Sequence, residues 1–400
     1  MRTEIKGAQS IASRFRADWT HPTRIRFGAG RAAELPEACR QLGMRRPLLV
    51  TDPVLARRPA CGALLKANAA AGVFTDLFSG IGPEPDGEQI GDGASVFAAG
   101  AYDGIIAAGG GSSLDAGKAI ALASAVGPDR IWSFGFCAGK APPEIAQGPP
   151  PPIIAVPTTA GTGSEVNASA VITDARRRVK RSLYQPSLLP AIVIADPSLT
   201  RAPDPALTAA TGMDALSHNL EALCAPGFYP MLDAIALQGL RFAKEWLPAA
   251  FGAPRSIEAR VYTMAASIMG AVAFEKGLGA MHAMAHAVGA LYKTHHGRTI
   301  SVVMPYVLRF NRRRIRSQTA ATARFLGLPG HDTSAVIDWI LSLRRTLGLP
   351  GTLVDLGVRP ADIPVLVERT LADANAPTNP VRLDKRGAER LFRWAMGGSL

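Results

Sequence analysis

Seven histidines occur in the 400 residues, and five of them fall in two short stretches. In Gly212-Met-Asp-Ala-Leu-Ser-His218, Asp214 and His218 stand four residues apart, so on a helix both project from one face. The second stretch, Met281 to Gly297, sets His282 and His286 one helical turn apart. It then places His295 and His296 in a following loop, before a glycine. A single histidine is usually an ordinary structural residue. Two same-face pairs on otherwise apolar helices are different, because a buried carboxylate and several buried imidazoles need a compensating partner. One carboxylate with three imidazoles is a donor set for a divalent cation of the Fe2+ or Zn2+ kind.

A second chemistry lies upstream. Asp103 to Lys118 reads as a strand, then Gly109, Gly110 and Gly111, then Ser112 and a helix that carries Asp115. Glycines let backbone N–H groups approach a phosphate, and a helix N-terminus adds aligned donors. The ordinary G-x-G-x-x-G dinucleotide fingerprint is absent. A second loop, Pro157-Thr-Thr-Ala-Gly-Thr-Gly-Ser-Glu165, also follows a strand and offers the hydroxyls of Thr158, Thr159 and Thr162. Hydroxyls and free N–H groups suit phosphate and ribose oxygens. Asp52, at the end of an earlier strand, is placed to accept from a ribose diol and to repel a 2′-phosphate, which favours NAD over NADP. The plain reading of Asp52 is a helix cap.

The elements needed to position these groups are legible. Apolar runs at Leu48–Thr51, Val73–Phe78, Gly104–Ala107, Ile153–Val156 and Ile192–Ala195 are continuous rather than alternating. Strands covered on both sheet faces read this way, so the first half is predicted to be an α/β domain with a parallel, Rossmann-like sheet. Ligands in such sheets bind beyond the carboxyl ends of the strands, where both loops and Asp52 fall. After Pro203 the strand signal stops. Helices are predicted over Ala206–Cys224, Pro230–Phe251, Ser256–Phe274, Ala280–Tyr292, Ser334–Leu347 and near Lys385–Met396. The chain is therefore divided into an α/β dinucleotide-binding domain, 1–203, and an all-α metal-binding domain, 204–400.

Composition narrows the function class. The chain is 48% hydrophobic and 19% charged, which excludes a disordered protein. Its net charge of +12 comes from scattered basic residues. The runs Arg176–Arg178 and Arg312–Arg314 lack interleaved aromatics, so no nucleic-acid partner is expected. Cys39, Cys61, Cys137 and Cys224 form no C-x-x-C pair and read as buried thiols of a reducing compartment. No stretch approaches a membrane span of roughly 20 apolar residues, so no membrane partner is expected. Residues 1–20 carry Glu4 and Asp18, unlike a signal or transit peptide, and a cytoplasmic location is expected.

In this order the motifs resemble the iron-containing (group III) alcohol dehydrogenase family. The likeness runs from Arg24-Ile-Arg-Phe-Gly-Ala-Gly30 through both loops, Ala195–Thr200 and Ala210–Glu221, to Gly277–Gly297 and Val303–Asn311. It implies that Asp214, His218, His282 and His296 hold the metal, Fe2+ before Zn2+. It also implies that Gly109–Gly111 bind a pyrophosphate, that the threonine loop, Asp52 and Lys180 meet NAD, and that the chain forms a homodimer. The sequence departs from the family at Phe274-Glu-Lys before Gly-Leu-Gly, at Pro83-Glu-Pro85, and at His286-Ala287, where His-Pro is usual.

The expected activity is reversible hydride transfer between a primary or secondary alcohol, or a hydroxyacid, and NAD. His286 is the candidate proton relay, with simple packing behind the metal donors as its bland alternative. Lys276 and Lys293 lie near enough in sequence to meet a substrate carboxylate, although surface lysines are the commoner case. Nearby alternatives are a maleylacetate-reductase- or glycerol-dehydrogenase-like activity. A dehydroquinate-synthase-type lyase is a more distant one, distinguished because it regenerates its NAD. A non-catalytic metal-binding protein would leave both loops unexplained.

Overall fold

The structure, a computed structural model, describes residues 23–398 apart from 137–139, 147, 178 and 202–203. Cys137, Arg178, Glu4, Asp18 and the proposed domain boundary at Pro203 lie outside the described residues.

The first half builds one six-stranded parallel sheet. Its strands are β1 (Arg24–Phe27), β2 (Pro47–Val50), β3 (Asp76–Phe78), β4 (Gly104–Gly109), β5 (Ile153–Pro157) and β8 (Ile192–Ala195), in the order β1-β8-β5-β4-β2-β3. The apolar runs of β2, β4, β5 and β8 are buried along their full length, as strands covered on both faces must be. Helices α1 (Leu35–Gln41), α2 (Pro53–Ala56), α3 (Pro59–Ala70), α4 (Gly87–Ala99) and α5 (Gly111–Val126) connect them. Between β5 and β8 an antiparallel hairpin, β6 (Ser169–Asp174) and β7 (Val179–Tyr184), stands as a separate two-stranded sheet.

The register decides where the loops fall. β4 pairs with β5 so that Gly109 lies opposite Pro157, and β2 pairs with β4 so that Val50 lies opposite Ala107. Asp52, the glycine loop and the threonine loop therefore leave adjacent strands at one edge.

The second half is helical: α6 (Pro205–Cys224), α7 (Pro230–Gly252), α8 (Ile257–Ala273), α9 (Ala280–Tyr292), α10 (His296–Asn311), α11 (Arg316–Phe325), α12 (Thr333–Thr346), α13 (Ile363–Ala372) and α14 (Lys385–Gly397). Pro205 opens α6 behind the N-cap Asp204, whose side chain accepts from the Leu207 N–H at 2.7 Å. α6 is buried almost throughout and packs on α7, α8 and α10. One expectation is corrected in α8. Ile257–Lys276 is long and apolar enough to cross a membrane by length and composition, but 61% of that stretch is buried within the fold. Its small and apolar residues serve helix packing.

Candidate functional site

The three helices that carry the histidines meet at one point. α6 presents Asp214, His218 and Glu221 at spacings of four and three, one stripe of the helix. α9 presents His282 and His286. His296 is the first residue of α10, so it does not sit in a loop as expected. Gly297 makes that start possible, because a Cβ there would run into the Ala210 carbonyl of α6.

Ligand atoms of Asp214, His218 and His282 lie within 4.8 Å of one another. His218 Nε2 and His282 Nε2 are each 3.9 Å from Asp214 Oδ1, and His296 Nε2 is 3.5 Å from it. The His218 and His282 rings stack with centroids 4.7 Å apart, and His296 lies 5.4 Å from His282. Three histidines from three helices are thus gathered around one carboxylate oxygen.

Hydrogen bonding fixes which nitrogens face inward. His218 Nδ1 donates to the Gly161 carbonyl at 3.2 Å, and His282 Nδ1 donates to Glu221 Oε2 at 2.6 Å. A carbonyl or carboxylate only accepts, so both Nδ1 atoms carry the hydrogen, and in the neutral rings the Nε2 lone pairs face Asp214. Among the described residues, Asp214 Oδ1 and His282 Nε2 are buried without a hydrogen-bond partner. Lone pairs converging on a buried, unpartnered carboxylate oxygen repel one another unless a cation sits among them. The site therefore fits a divalent cation, and its neutral-imidazole donors are the kind such a cation takes. Burial drives the His218 pKa down to about 4 against the pull of Asp214. Burial, with the charges of the neighbouring histidines and Lys180, holds His296 well below the ordinary value. At His282 burial also disfavours the charged ring, but the Glu221 hydrogen bond and charge outweigh it and its pKa rises.

Sequence reasoning missed Glu221, although its position one turn beyond His218 was readable. It bonds His282 Nδ1 and also accepts the Met281 N–H at 2.8 Å. This is the carboxylate–histidine support that orients a metal-binding ring.

A cleft of about 1670 Å³ runs from the sheet edge to this cluster. Asp52, Gly110, Gly111, Ser112, Asp115, Thr159, Thr162, Lys180, Asp214, His218, His282, His286 and His296 line it. Gly109 and Thr158 do not. They are joined by a Thr158 N–H to Gly109 carbonyl bond of 2.9 Å and continue the strand pairing. A Cβ on Gly111 would stand 2.5 Å from Thr162 Cγ2, so only glycine brings the two loops this close. That cradle of bare backbone and hydroxyls fits a dinucleotide pyrophosphate.

Other expected contacts are already engaged. Asp52 Oδ1 caps α2 by accepting from the Val54 and Leu55 N–H groups at 2.8 and 2.9 Å, while Oδ2 lies 3.5 Å from Ser113 Oγ. It is thus both a cap and a cleft residue. Ser112 Oγ donates to the Pro83 carbonyl at 2.6 Å. The two oxygens of Asp115 accept from Ser164 Oγ and the Val171 N–H. Lys180 pairs with Glu84 at 2.5 Å. Lys276 lines the cleft but is buried, with its ammonium on Asp233 and the Leu223 carbonyl, so it is not a surface lysine. Lys293, exposed at the left-handed end of α9, lines the cleft as well.

His286 lies beside the cluster, its ring 5.3 Å from His296. Its Nδ1 donates to Asp373 Oδ2 at 2.8 Å. Burial works to raise the Asp373 carboxyl, but His286 and the Asn375 donors outweigh it and hold it below the usual range.

Two family models match. The iron-containing alcohol dehydrogenase model covers residues 22–197, and the model of that family's C-terminal part covers residues 208–396. The chain is 36% identical over 361 residues to an NAD-dependent methanol dehydrogenase of Bacillus methanolicus, covering 88% of this chain and 93% of that one. It is 36% identical over 388 residues to a 1,3-propanediol dehydrogenase of Citrobacter freundii, covering 94% and 98%. A solved structure of a 1,3-propanediol oxidoreductase superposes with a TM-score of 0.88 at 35% identity, over 95% of this chain and 99% of that one. Likeness over nearly every residue, joined to a histidine-rich helical half set against a parallel sheet, makes the chain a member of the iron-containing alcohol dehydrogenase family.

Proposed function

We propose that the chain oxidises a primary or secondary alcohol, or a hydroxyacid, and reduces the matching carbonyl, using NAD and one divalent cation held by Asp214, His218, His282 and His296. The observation that carries this is the buried, unpartnered Asp214 Oδ1 ringed by three imidazole nitrogens at the end of a dinucleotide-sized cleft. The family favours Fe2+, and the donor set also accepts Zn2+. When bound, such a cation would supply Lewis acidity that lowers the pKa of an alcohol oxygen, and a nicotinamide would supply the hydride acceptor.

The chain does the rest. Gly110, Gly111 and the hydroxyls of Thr159 and Thr162 seat the pyrophosphate at the N-terminus of α5, with Gly109 and Thr158 setting the loop from behind. Asp52 Oδ2 meets the ribose and disfavours a 2′-phosphate. Ser112, Asp115 and Lys180 shape the wall, Lys180 through its ion pair with Glu84. The division at 203/204 separates this half from the metal-holding half, so reacting groups meet in the cleft between them. His286, oriented by Asp373, passes the alcohol proton to solvent. The resemblance supports a homodimer, and the free, buried Cys39, Cys61 and Cys224 fit a reducing compartment such as the cytoplasm.

Anaerobically purified protein should contain about one metal ion per chain and form NADH with members of an alcohol and hydroxyacid panel. His286→Ala should keep the metal and lower kcat by 10²–10⁴, on the order of a lost general acid–base group. Full activity in metal-stripped protein would end the reading, and unchanged kcat in His286→Ala would end the relay.

A further inference from the structure

The cations that line the cleft differ in whether they have partners. Lys180 is paired with Glu84, Lys276 with Asp233, and Arg177 and Arg181 with Asp174. Arg369 and Lys293 line the cleft too, and among the described residues neither side chain meets an acceptor. Lys293 is exposed, so water solvates it. Arg369 is half-buried, and its Nη1 is sealed from solvent without a hydrogen-bond partner. The last turn of α13 favours a cation there, but it supplies no acceptor to that nitrogen. Two unpaired carboxylates, Glu275 and Glu368, also line the cleft, and both are exposed. The under-solvated charge on the cleft wall is therefore positive.

The helices set where that charge lies. α9 turns His282, His286, Ala290 and Lys293 to the cleft at helical spacing, and α13 presents Arg369 four residues before its C-cap, Asp373. His286 bonds Asp373 at one end and Tyr292 bonds Asp362 at the other, so the two helices lie side by side and antiparallel. Arg369 stands one turn from Asp373, beside the stretch of α9 between His286 and Lys293. That is one to two helical turns, roughly 5–10 Å, along α9 from His286. Ala290, between them, adds only a methyl group to the wall.

We infer that Arg369, assisted by Lys293, binds a carboxylate on the substrate, so that the alcohols this chain prefers are terminal hydroxyacids. Their hydroxyl and carboxylate stand at opposite ends of a short chain. The inference rests on the dehydrogenase reading above for the chemistry at the hydroxyl end. Nη1 is the only nitrogen of Arg369 that is both buried and unpartnered, which leaves Nε and Nη2 as the edge for a ligand. Neighbouring guanidinium N–H groups match the two oxygens of a carboxylate. An acid whose hydroxyl sits beside its carboxylate is too short to reach from the histidine cluster to Arg369.

The test uses the metal-loaded full chain. It should oxidise γ-hydroxybutanoate with a kcat/KM about tenfold or more above that for butanol, and lactate poorly. Arg369→Gln should lower the acid-to-alcohol ratio about tenfold to a hundredfold, the loss of a charged hydrogen-bonding group, and mainly through KM. Arg369→Lys should restore part of the ratio, and Lys293→Gln should lower it less than Arg369→Gln does. A dehydrogenase without this preference, or one whose preference survives in Arg369→Gln, overturns the inference and leaves the proposed activity standing. Butanoate binding followed by calorimetry needs no turnover and should weaken in Arg369→Gln. Butanoate binding that is absent, or indifferent to the substitution, overturns the subsite. Binding that depends on Arg369 in a chain that oxidises no alcohol supports the subsite and ends the activity instead.

Discussion

Asp214→Asn should purify without metal, and its turnover should fall by on the order of a thousandfold or more. The Lewis acid contributes several kcal/mol of charge stabilisation, and each 1.4 kcal/mol is about tenfold in rate. The same change should have the opposite sign on the metal-free fold. Without a cation, Asp214 Oδ1 is a buried, unpartnered oxygen facing the lone pairs of His218 and His282. Removing its charge at constant volume relieves that repulsion, so the stability of metal-free protein should stay level or rise by about 1 kcal/mol. Elemental analysis, kcat and denaturant unfolding with and without chelator read the three quantities. Metal retained in Asp214→Asn, or a metal-free fold that loses several kcal/mol, would contradict the assignment.

The second large effect is expected at Lys118, a residue with no visible chemistry. Its side chain is 1% exposed. Its ammonium donates to the Ser164 carbonyl at 2.9 Å, to Asn167 Oδ1 at 3.2 Å and to the Ser169 carbonyl, and it lies 3.2 Å from Asp115. It therefore ties α5, which starts at the glycine loop, to the end of the threonine loop and to β6. Lys118→Met keeps much of the volume but strands those acceptors and leaves Asp115 without its cation. Loss of one member of a buried pair costs about 3–5 kcal/mol. Urea unfolding should report a loss of that size, and the dissociation constant for NAD should rise because the loop has lost its tether. A change under about 1 kcal/mol with NAD affinity intact would show that the tether is dispensable.

The sequence showed these groups unevenly, and the reason lies in the range of the forces. Continuous burial made β2, β4, β5 and β8 readable, because both faces of those strands are covered. β1 was read only as a family likeness, since Arg24-Ile-Arg-Phe carries two charges on an edge strand. The β6–β7 hairpin was missed because Lys180 and Arg181 interrupt its apolar pattern, and both find acidic partners only in the fold. α10 was hidden by the His295-His296-Gly297 start and by Pro305, which the helix accommodates. Asp214, His218 and Glu221 are a local pattern. Asp373, 87 residues from His286, follows only from tertiary packing.

The Gly161 carbonyl that receives His218 Nδ1 belongs to the loop assigned to the dinucleotide. If that loop adjusts on binding NAD, the change reaches His218, one of the proposed metal donors, and the two loads are then thermodynamically linked. Reciprocity then requires that whatever factor the dinucleotide adds to metal retention, the metal returns to dinucleotide affinity. Chelator competition with and without NAD would measure the factor from one side, and NAD titration of loaded and stripped protein from the other. Equal, non-unit values are expected; a factor of one on both sides would mean that the hinge between the two cargoes is slack.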